Sequence, residues 1–295
     1  MSYGVLVALG LSWGLTIPVT KIAVSTGYQP MGLIAWQTLL MSVILTGIMI
    51  LRRTPFVISR PVLALYVVIA LSGTVVPNSF SYRAAAELPA GVMAIIIALV
   101  PMFSLPIALA LRLERPDLAR FAGLILGVVA VVMIVGPDAS LPEGTQTIFV
   151  AIALIAPFCY GIEGNYLARF GTRGLDPLQV LWGASVVASI ITVPAALATG
   201  TWIDLTVPWG LPEAAIPVIA AAHATAYVGY VWLVGRTGAV FAAQVAYVVT
   251  AAGVIWSMLL LGEVYSAWIW GAFALMLGGL MLVQPKGKSA EPDTA

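Results

Sequence analysis

The most informative side chain in this sequence is Glu163, because its carboxylate falls inside a long apolar run. An ionised carboxylate in hydrocarbon costs at least about 2.5 kcal/mol on insertion scales, so we expect it to face a cavity or a partner. If the run enters the membrane from outside near Thr147, a rise of about 1.5 Å per residue places Glu163 roughly 8 Å from the inner edge. We interpret Glu163 as a group that binds a cation or a proton. The alternative is a carboxylate that reaches inner-face water or Arg169.

His223 is the only histidine of the chain and lies close to the middle of another apolar run. Tyr227 and Tyr230 follow at i+4 and i+7, so the three side chains share one face of a helix. A polar stripe at this depth usually faces other helices or a cavity. It indicates solute contact or proton handling, or else a histidine that is hydrogen-bonded between helices. One histidine predicts no metal site, and a single cysteine, Cys159, excludes an intrachain disulfide and a cysteine-based metal cluster.

Aromatic residues at middle depth add a second kind of recognition chemistry. Trp13, Tyr160 and Tyr247 can attract a flat or cationic solute through their ring faces, although ordinary packing explains each of them equally well. Gln244 falls at nearly the depth of Glu163 and can donate a hydrogen bond to it. The candidate substrate-binding or coupling residues are Glu163, His223, Trp13, Tyr160, Tyr227, Gln244, Tyr247 and Asn78.

These residues must be positioned by membrane-spanning helices. The chain is 61% hydrophobic and 8% charged, which is too apolar to cover a water-soluble surface. Its net charge of +1 gives no reason to expect a nucleic acid partner, whereas lipids are expected neighbours. A helix needs roughly 20 apolar residues to span the hydrocarbon. Ten such runs can be counted, at 4–25, 31–51, 62–82, 88–111, 118–136, 147–168, 176–199, 212–235, 238–261 and 265–284.

The orientation of these spans follows from the distribution of Lys and Arg. With the N-terminus inside, eleven Lys or Arg residues fall in inner loops and the tail, and only Arg83 falls in an outer loop. Both termini are therefore expected in the cytoplasm, in a bacterial inner membrane. Lys21 lies about 25 Å from the inner edge, too far to pair with Glu163, and we expect it to extend towards the outer headgroups.

The two halves of the chain show the pattern of an internal repeat. Glu114 and Glu263 are 149 residues apart, and four Gly or Pro pairs share offsets of 147 or 148: Gly14 and Gly161, Pro30 and Pro177, Gly123 and Gly271, Pro137 and Pro285. Five spans in each half place the second repeat upside down, the arrangement of many secondary transporters. We predict an all-α membrane protein of ten transmembrane helices in two inverted five-helix repeats, 1–137 and 138–285, followed by a disordered tail at 286–295.

Several stretches resemble the ten-helix, EamA-like branch of the drug/metabolite transporter superfamily. They are Leu11-Ser12-Trp13-Gly14 with Pro18 and Lys21, Pro89-Ala90-Gly91 through Val100-Pro101-Met102-Phe103 to Glu114, and Leu261-Gly262-Glu263 through Gly278-Gly279. Two departures are visible: Gln37 stands where many members have Arg, and Thr250 stands where the second-copy Pro would fall. The resemblance implies export or uptake of small metabolites without a cofactor.

These observations together predict a secondary active transporter, not an enzyme. We expect it to export small metabolites such as amino acids or organic cations by alternating access, with proton coupling at Glu163 as a hypothesis. No ATP-binding motif is present. A passive facilitator or channel is the alternative. A remote one is an intramembrane hydrolase, because Gly10 to Gly14 fits G-x-S-x-G around Ser12.

Within the bundle, the polar mid-depth residues predict a pathway lined by spans one, three, six, eight and nine. Spans five and ten are rich in small residues and should form the scaffold. Gly123-x-x-x-Gly127 and Ala274-x-x-x-Gly278 are expected to be close-packing faces.

Overall fold

The computed structural model describes residues 2–137, 141, 143–237, 242 and 244–283, and within them all regular structure is helical. Ten helices run along the bundle: α1 Ser2–Val24, α2 Pro30–Arg52, α3 Arg60–Glu87, α4 Ala90–Ala110, α5 Leu118–Val135, α6 Ile148–Phe170, α7 Pro177–Ala198, α8 Leu211–Thr237, α9 Val245–Leu261 and α10 Ala267–Val283. Eight of them are long and apolar enough to cross a membrane, and α9 and α10 are shorter apolar helices. The predicted fold class is confirmed. The predicted tail lies outside the described residues.

Three helices are interrupted, and in each of them a proline explains the position of the interruption. A proline has no N–H for the carbonyl four residues earlier, so that carbonyl loses its helical bond. Pro77 follows a π-helical turn, Leu71–Val75, inside α3. Pro101 follows the break of α4 after Ile97, and Pro157 follows the break of α6 after Ala153. The prolines thus create irregular backbone inside three helices near the middle of the bundle.

Contacts between the two halves are reciprocal, as an inverted repeat requires. The first helix of each half packs on the fourth of the other, α1 on α9 and α6 on α4. Likewise α2 packs on α8 as α7 packs on α3, while α2 pairs with α7 and α5 pairs with α10. The crossings of α1 and α6 are close: a Cβ on Gly14 would lie 2.9 Å from the Gly253 nitrogen, and a Cβ on Gly161 would lie 3.1 Å from the Ser104 nitrogen. The repeat-related glycines therefore sit at equivalent crossings.

The α5–α10 pair forms the tightest backbone contact at one side of the bundle. A Cβ on Gly123 would lie 2.8 Å from the Gly279 carbonyl oxygen, and a Cβ on Gly279 would lie 2.9 Å from the Gly123 carbonyl oxygen. The close-packing face predicted at Gly123 is thus confirmed. The face predicted at Gly278 is wrong, because a Cβ there would meet a Leu126 side chain only at 3.8 Å, and Gly279 makes the close contact. The contact joins two helices of one chain.

The two ends of the bundle are distinguished by the first helix. The near face is the end at which α1 begins, with Ser2, and the far face is the end at which α1 finishes, with Val24. The loops at 53–59, 111–117 and 171–176 lie at the near face. The loops at 25–29, 88–89, 199–210 and 262–266 lie at the far face.

Candidate functional site

The carboxylate of Glu163 packs against the irregular turn of α3. A Cβ on Gly73, in the π-helical segment, would lie 2.6 Å from Glu163 Oε2 and 2.7 Å from Oε1. Only a glycine leaves room for the carboxylate there. Gly73 lies midway along α3, so the carboxylate sits deeper in the bundle than a count of residues along α6 suggests.

Glu163 has no hydrogen-bonding partner in the described part of the chain. The only ion pair among the described residues joins Arg120 and Glu114, so the alternative pairing with Arg169 is not formed. The predicted hydrogen bond from Gln244 is also wrong, because Gln244 lies at the start of α9 and its side chain makes no such bond. No described buried side-chain oxygen or nitrogen lacks a partner. The unpartnered carboxylate of the half-buried Glu163 therefore opens onto accessible space.

A row of polar side chains leads from Glu163 towards the far face. Tyr160, one turn before Glu163 on α6, donates a hydrogen bond from its hydroxyl to Asn78 Oδ1 at 3.2 Å. One turn further along α3, the Tyr82 hydroxyl donates to Gln37 Oε1 on α2. Sequence reasoning did not include Gln37 and Tyr82 among the candidates. The signal was available, since Tyr82 follows Asn78 at i+4 and Gln37 interrupts an apolar run.

On α8, the tautomer of His223 is set by its own helix. His223 Nδ1 lies 2.9 Å from the Ile219 carbonyl oxygen. A carbonyl oxygen only accepts, so Nδ1 carries the proton and Nε2 of the neutral ring is left as an acceptor. No described residue binds Nε2, which therefore opens onto accessible space as well.

Tyr227 links α8 to the carboxylate. It lies within electrostatic range of Glu163, although α6 packs mainly on α3 and α4, and α8 packs mainly on α1 and α2. Both side chains belong to the second half, and Tyr227 is an electrostatic neighbour of the Glu163 carboxylate although their helices pack on different helices of the first half. The structure thus brings together four of the predicted residues, Asn78, Tyr160, Glu163 and Tyr227.

The remaining aromatic candidates have packing partners. Trp13 meets Tyr230 edge to face, with ring centroids 6.2 Å apart, beside a cluster that contains Leu6, Leu9 and Leu233. Tyr247 packs against the main apolar core. A role in solute binding stays a prediction for all eight candidates, including Trp13, His223, Gln244 and Tyr247.

At the far face, Glu263 joins the two halves. Its carboxylate accepts hydrogen bonds from the backbone N–H groups of Ala90, at 2.7 Å, and Gly91, at 3.1 Å, so it caps the N-terminus of α4. The Tyr265 hydroxyl donates to the same carboxylate at 2.5 Å. Burial and this hydrogen bond raise the pKa of Tyr265, so its hydroxyl stays protonated and remains a donor.

Lys21 binds backbone carbonyls of its own half instead of reaching lipid headgroups. Its ammonium donates to the carbonyl oxygens of Ala86, at 2.9 Å, and Leu88, at 3.0 Å, and so caps the end of α3. The prediction that Lys21 extends to the outer headgroups is wrong, because free carbonyls at a helix end offer a cation closer partners.

The repeat partner of Glu263 behaves differently at the near face. Glu114 Oε2 lies 3.0 Å from Nη1 of Arg120, a residue of the next helix, α5. Its carboxylate therefore stays within its own half, whereas Glu263 bridges the halves. The halves are joined at the near face by a neutral contact instead, in which Gln179 Nε2 at the start of α7 donates to the Pro55 carbonyl oxygen at 2.9 Å.

The described residues give little support for metal binding or for hydrolysis at Ser12. No group of three or more His, Cys, Asp or Glu there is arranged to hold a metal ion. Ser12 lies inside the uninterrupted helix α1. The G-x-S-x-G motif of hydrolases works on a strained turn between a strand and a helix, and that turn is not formed around Ser12.

Comparisons with known proteins agree with this architecture. The model of the EamA-like transporter family matches residues 1–136 and 147–284. No curated protein sequence matches the chain. A solved structure described only as "Crystal structure of protein" has 19% identity, covers 96% of this chain and 96% of its own, and superposes with a TM-score of 0.62, which shows a common fold. The chain therefore belongs to the EamA-like transporter family, whose members move small solutes across membranes.

Proposed function

We propose that this protein is a secondary transporter that exchanges small organic cations for protons at Glu163 by alternating access. The observation that carries the proposal is the unpartnered carboxylate of Glu163, which lies between the two halves against Gly73. An ionised carboxylate inside the bundle without a protein partner is expensive, so we expect a proton or a cationic solute to neutralise it.

The charges around the pathway favour a cation over an anion. Lys21 is held by backbone carbonyls at the far face, and Arg120 is paired with Glu114 at the near face. The polar residues described beside Glu163 are Tyr160 and Asn78, which carry no positive charge. An anionic solute would lose its water there without gaining a cationic partner.

Transport of the solute is coupled to movement of protons because both compete for one carboxylate. Glu163 can be neutralised by a proton or by a solute cation, and holding both would leave an excess positive charge in a site of low dielectric. Binding of the solute therefore releases the proton. A proton gradient directed into the cell then drives export of the cation.

The difference between the two faces supports alternating access. At the far face the charged carboxylate of Glu263 bridges the halves, whereas the bridge from Gln179 to Pro55 at the near face joins neutral groups. We place the near face in the cytoplasm of a bacterial inner membrane, with both termini on that side. The conformation described here then has its outer side closed.

The test uses proteoliposomes loaded with a pH indicator and a panel of quaternary ammonium compounds, which cannot carry protons as weak bases. An imposed gradient of the transported compound should move protons in the opposite direction. Glu163→Gln should abolish this proton movement, while Glu143→Gln, in an exposed far-face loop, should leave it unchanged. Solute movement without proton movement in the wild type would instead indicate a passive facilitator. Unchanged pH dependence in Glu163→Gln would overturn the role of Glu163.

A further inference from the structure

The far half of the bundle contains a small, mostly apolar cavity with three polar side chains in its wall, and the proposed function does not use it. Its volume is about 10 Å³, and it is lined by residues of α1, α2, α3 and α8: Thr20, Ala23, Leu33, Gln37, Tyr82, Ile216 and Ile219. A cavity of roughly 10 to 15 Å³ accommodates one water, or one oxygen atom of a larger molecule.

The polar groups of this cavity have unused hydrogen-bonding capacity. The Tyr82 hydroxyl donates to Gln37 Oε1, and this bond leaves the Gln37 Nε2 group without a described partner. The Thr20 hydroxyl likewise makes no hydrogen bond to a described residue. Gln37 is 7% exposed and Thr20 is 8% exposed, yet no described buried side-chain atom lacks a partner. Their free atoms are therefore accessible, and the cavity is the space that both residues line.

The charge of the cavity limits what it can bind. No ionised side chain lines it, and Lys21, next to Thr20, directs its ammonium to the carbonyls of Ala86 and Leu88. A carboxylate placed there would be buried without a counter-ion. A neutral hydroxyl or carbonyl oxygen, by contrast, would satisfy the amide and hydroxyl donors.

The cavity is continuous with the site around Glu163 through side chains. Tyr82 and Asn78 lie one turn apart on α3, and Asn78 accepts a hydrogen bond from Tyr160, one turn before Glu163. On the opposite wall, Ile219 lines the cavity and its carbonyl holds His223. An extended solute bound at both places would lie along this row of side chains.

We propose that Thr20, Gln37 and Tyr82 form a second subsite, which binds a neutral hydroxyl or carbonyl oxygen of the transported solute. This inference rests on the proposed function, because it assumes that the cationic group of the solute binds at Glu163. The substrate class is then organic cations with a hydroxyl or carboxamide group at the other end. In the absence of solute, one water occupies the subsite.

The experiment measures binding of matched amine probes to the purified protein by calorimetry. Amino alcohols with two to six carbons are each compared with the alkylamine of equal heavy-atom number. At the best chain length the alcohol should bind roughly 5- to 10-fold more tightly, the value of one added hydrogen bond. Thr20→Val and Gln37→Leu should remove this difference. Thr38→Val is the matched control, because Thr38 bonds to Thr192 and to its own helix, away from the cavity.

A second comparison tests the charge of the bound oxygen. At the best chain length, the ω-amino carboxamide should bind better than the ω-amino carboxylate, and only the carboxamide should depend on Gln37 and Thr20. Tighter binding of the carboxylate would overturn the assignment to a neutral oxygen.

The outcomes separate the two proposals. If amines bind in a manner that depends on Glu163 but alcohols gain nothing over alkylamines, the cavity holds only water and the subsite is refuted. If no amine binds in a Glu163-dependent manner, the proposed function itself fails. Should Gln37→Leu not fold, as judged by size-exclusion chromatography, the Thr20→Val variant and the carboxamide comparison decide the question.

Discussion

At the scale of single residues, the contact between Glu163 and Gly73 organises the site. The carboxylate comes from the second half of the chain, and the glycine comes from the first half, at the point where α3 becomes a π-helical turn. Single-turn π segments inside α-helices are frequent at functional sites. Here the turn and the missing side chain together create room for one carboxylate.

Gly73→Ala should therefore impair transport without unfolding the protein. The new methyl group would lie 2.6 to 2.7 Å from the carboxylate, closer than ordinary contacts of 3.4 to 4 Å, so the Glu163 side chain must move. A misplacement of about 1 Å at a reacting group lowers rates by roughly 10- to 100-fold. Transport and its pH dependence are measured in proteoliposomes.

The matched control for this change is Gly164→Ala. Gly164 lies on the same helix as Glu163, and a methyl group added there would meet no atom within 4 Å, so this substitution should leave transport unchanged. Equal losses in the two variants would show that helix mobility, and not the position of the carboxylate, matters.

At the scale of helices, hydrogen bonds to the end of α3 and to the start of α4 hold the far face together. Glu263 caps the first turn of α4 with two backbone hydrogen bonds. Loss of such a cap destabilises a helix by about 0.5 to 2 kcal/mol.

Glu263→Ala should thus lower the unfolding temperature by about 1 to 8 °C, because each kcal/mol of lost stability shifts the midpoint of a large domain by about 2 to 4 °C. The measurement follows a thiol-reactive fluorogenic dye, because buried Cys159 is the only thiol and becomes accessible on unfolding. Glu143→Ala, in an exposed far-face loop, should leave the midpoint unchanged. An unaltered midpoint in Glu263→Ala would mean that water replaces the cap without loss.

The close contact between α5 and α10 allows a separate prediction about the unfolding midpoint. A methyl group on Gly123 would lie 2.8 Å from the Gly279 carbonyl oxygen, a backbone atom that cannot move aside without displacing α10. Overpacking of this kind costs about 1 to 3 kcal/mol. Gly123→Ala should lower the midpoint in the dye assay, while Gly47→Ala, which meets no atom within 4 Å, should not. Equal midpoints would show that the two helices can separate freely.

At the scale of the whole molecule, orientation follows from charge. Arginines at 52, 53, 60, 112, 115, 120, 169, 173 and 236 lie at or beside the near face, and the far-face ends hold Arg83. From the positive-inside rule we therefore predict that the near face lies in the cytoplasm.

Single-cysteine variants test this orientation. In a Cys159→Ala background, exposed Thr206→Cys at the far face should react with a membrane-impermeant maleimide in intact cells. Exposed Ser59→Cys at the near face should react only after the cells are opened. The reverse pattern would invert the topology and with it the direction proposed for transport.

Much of the fold was predictable from the sequence. The apolar runs specified ten helices because each must satisfy its own backbone within the hydrocarbon. The offsets between Glu114 and Glu263 and between Gly14 and Gly161 indicated the repeat, and the structure places both glycines at equivalent crossings. The exact residue limits of the two halves stay a prediction.

The site was predictable only in part, because depth along a helix says nothing about which neighbour a side chain meets. The sequence by itself determined that Glu163 had to be sheltered from lipid, since the hydration energy of a carboxylate is a property of the group. Only the tertiary structure decided that Gly73 provides the shelter, that Gln244 does not contact Glu163, and that Lys21 binds carbonyls. These partners depend on how helices distant in sequence are rotated and bent against one another, which packing of the whole bundle decides.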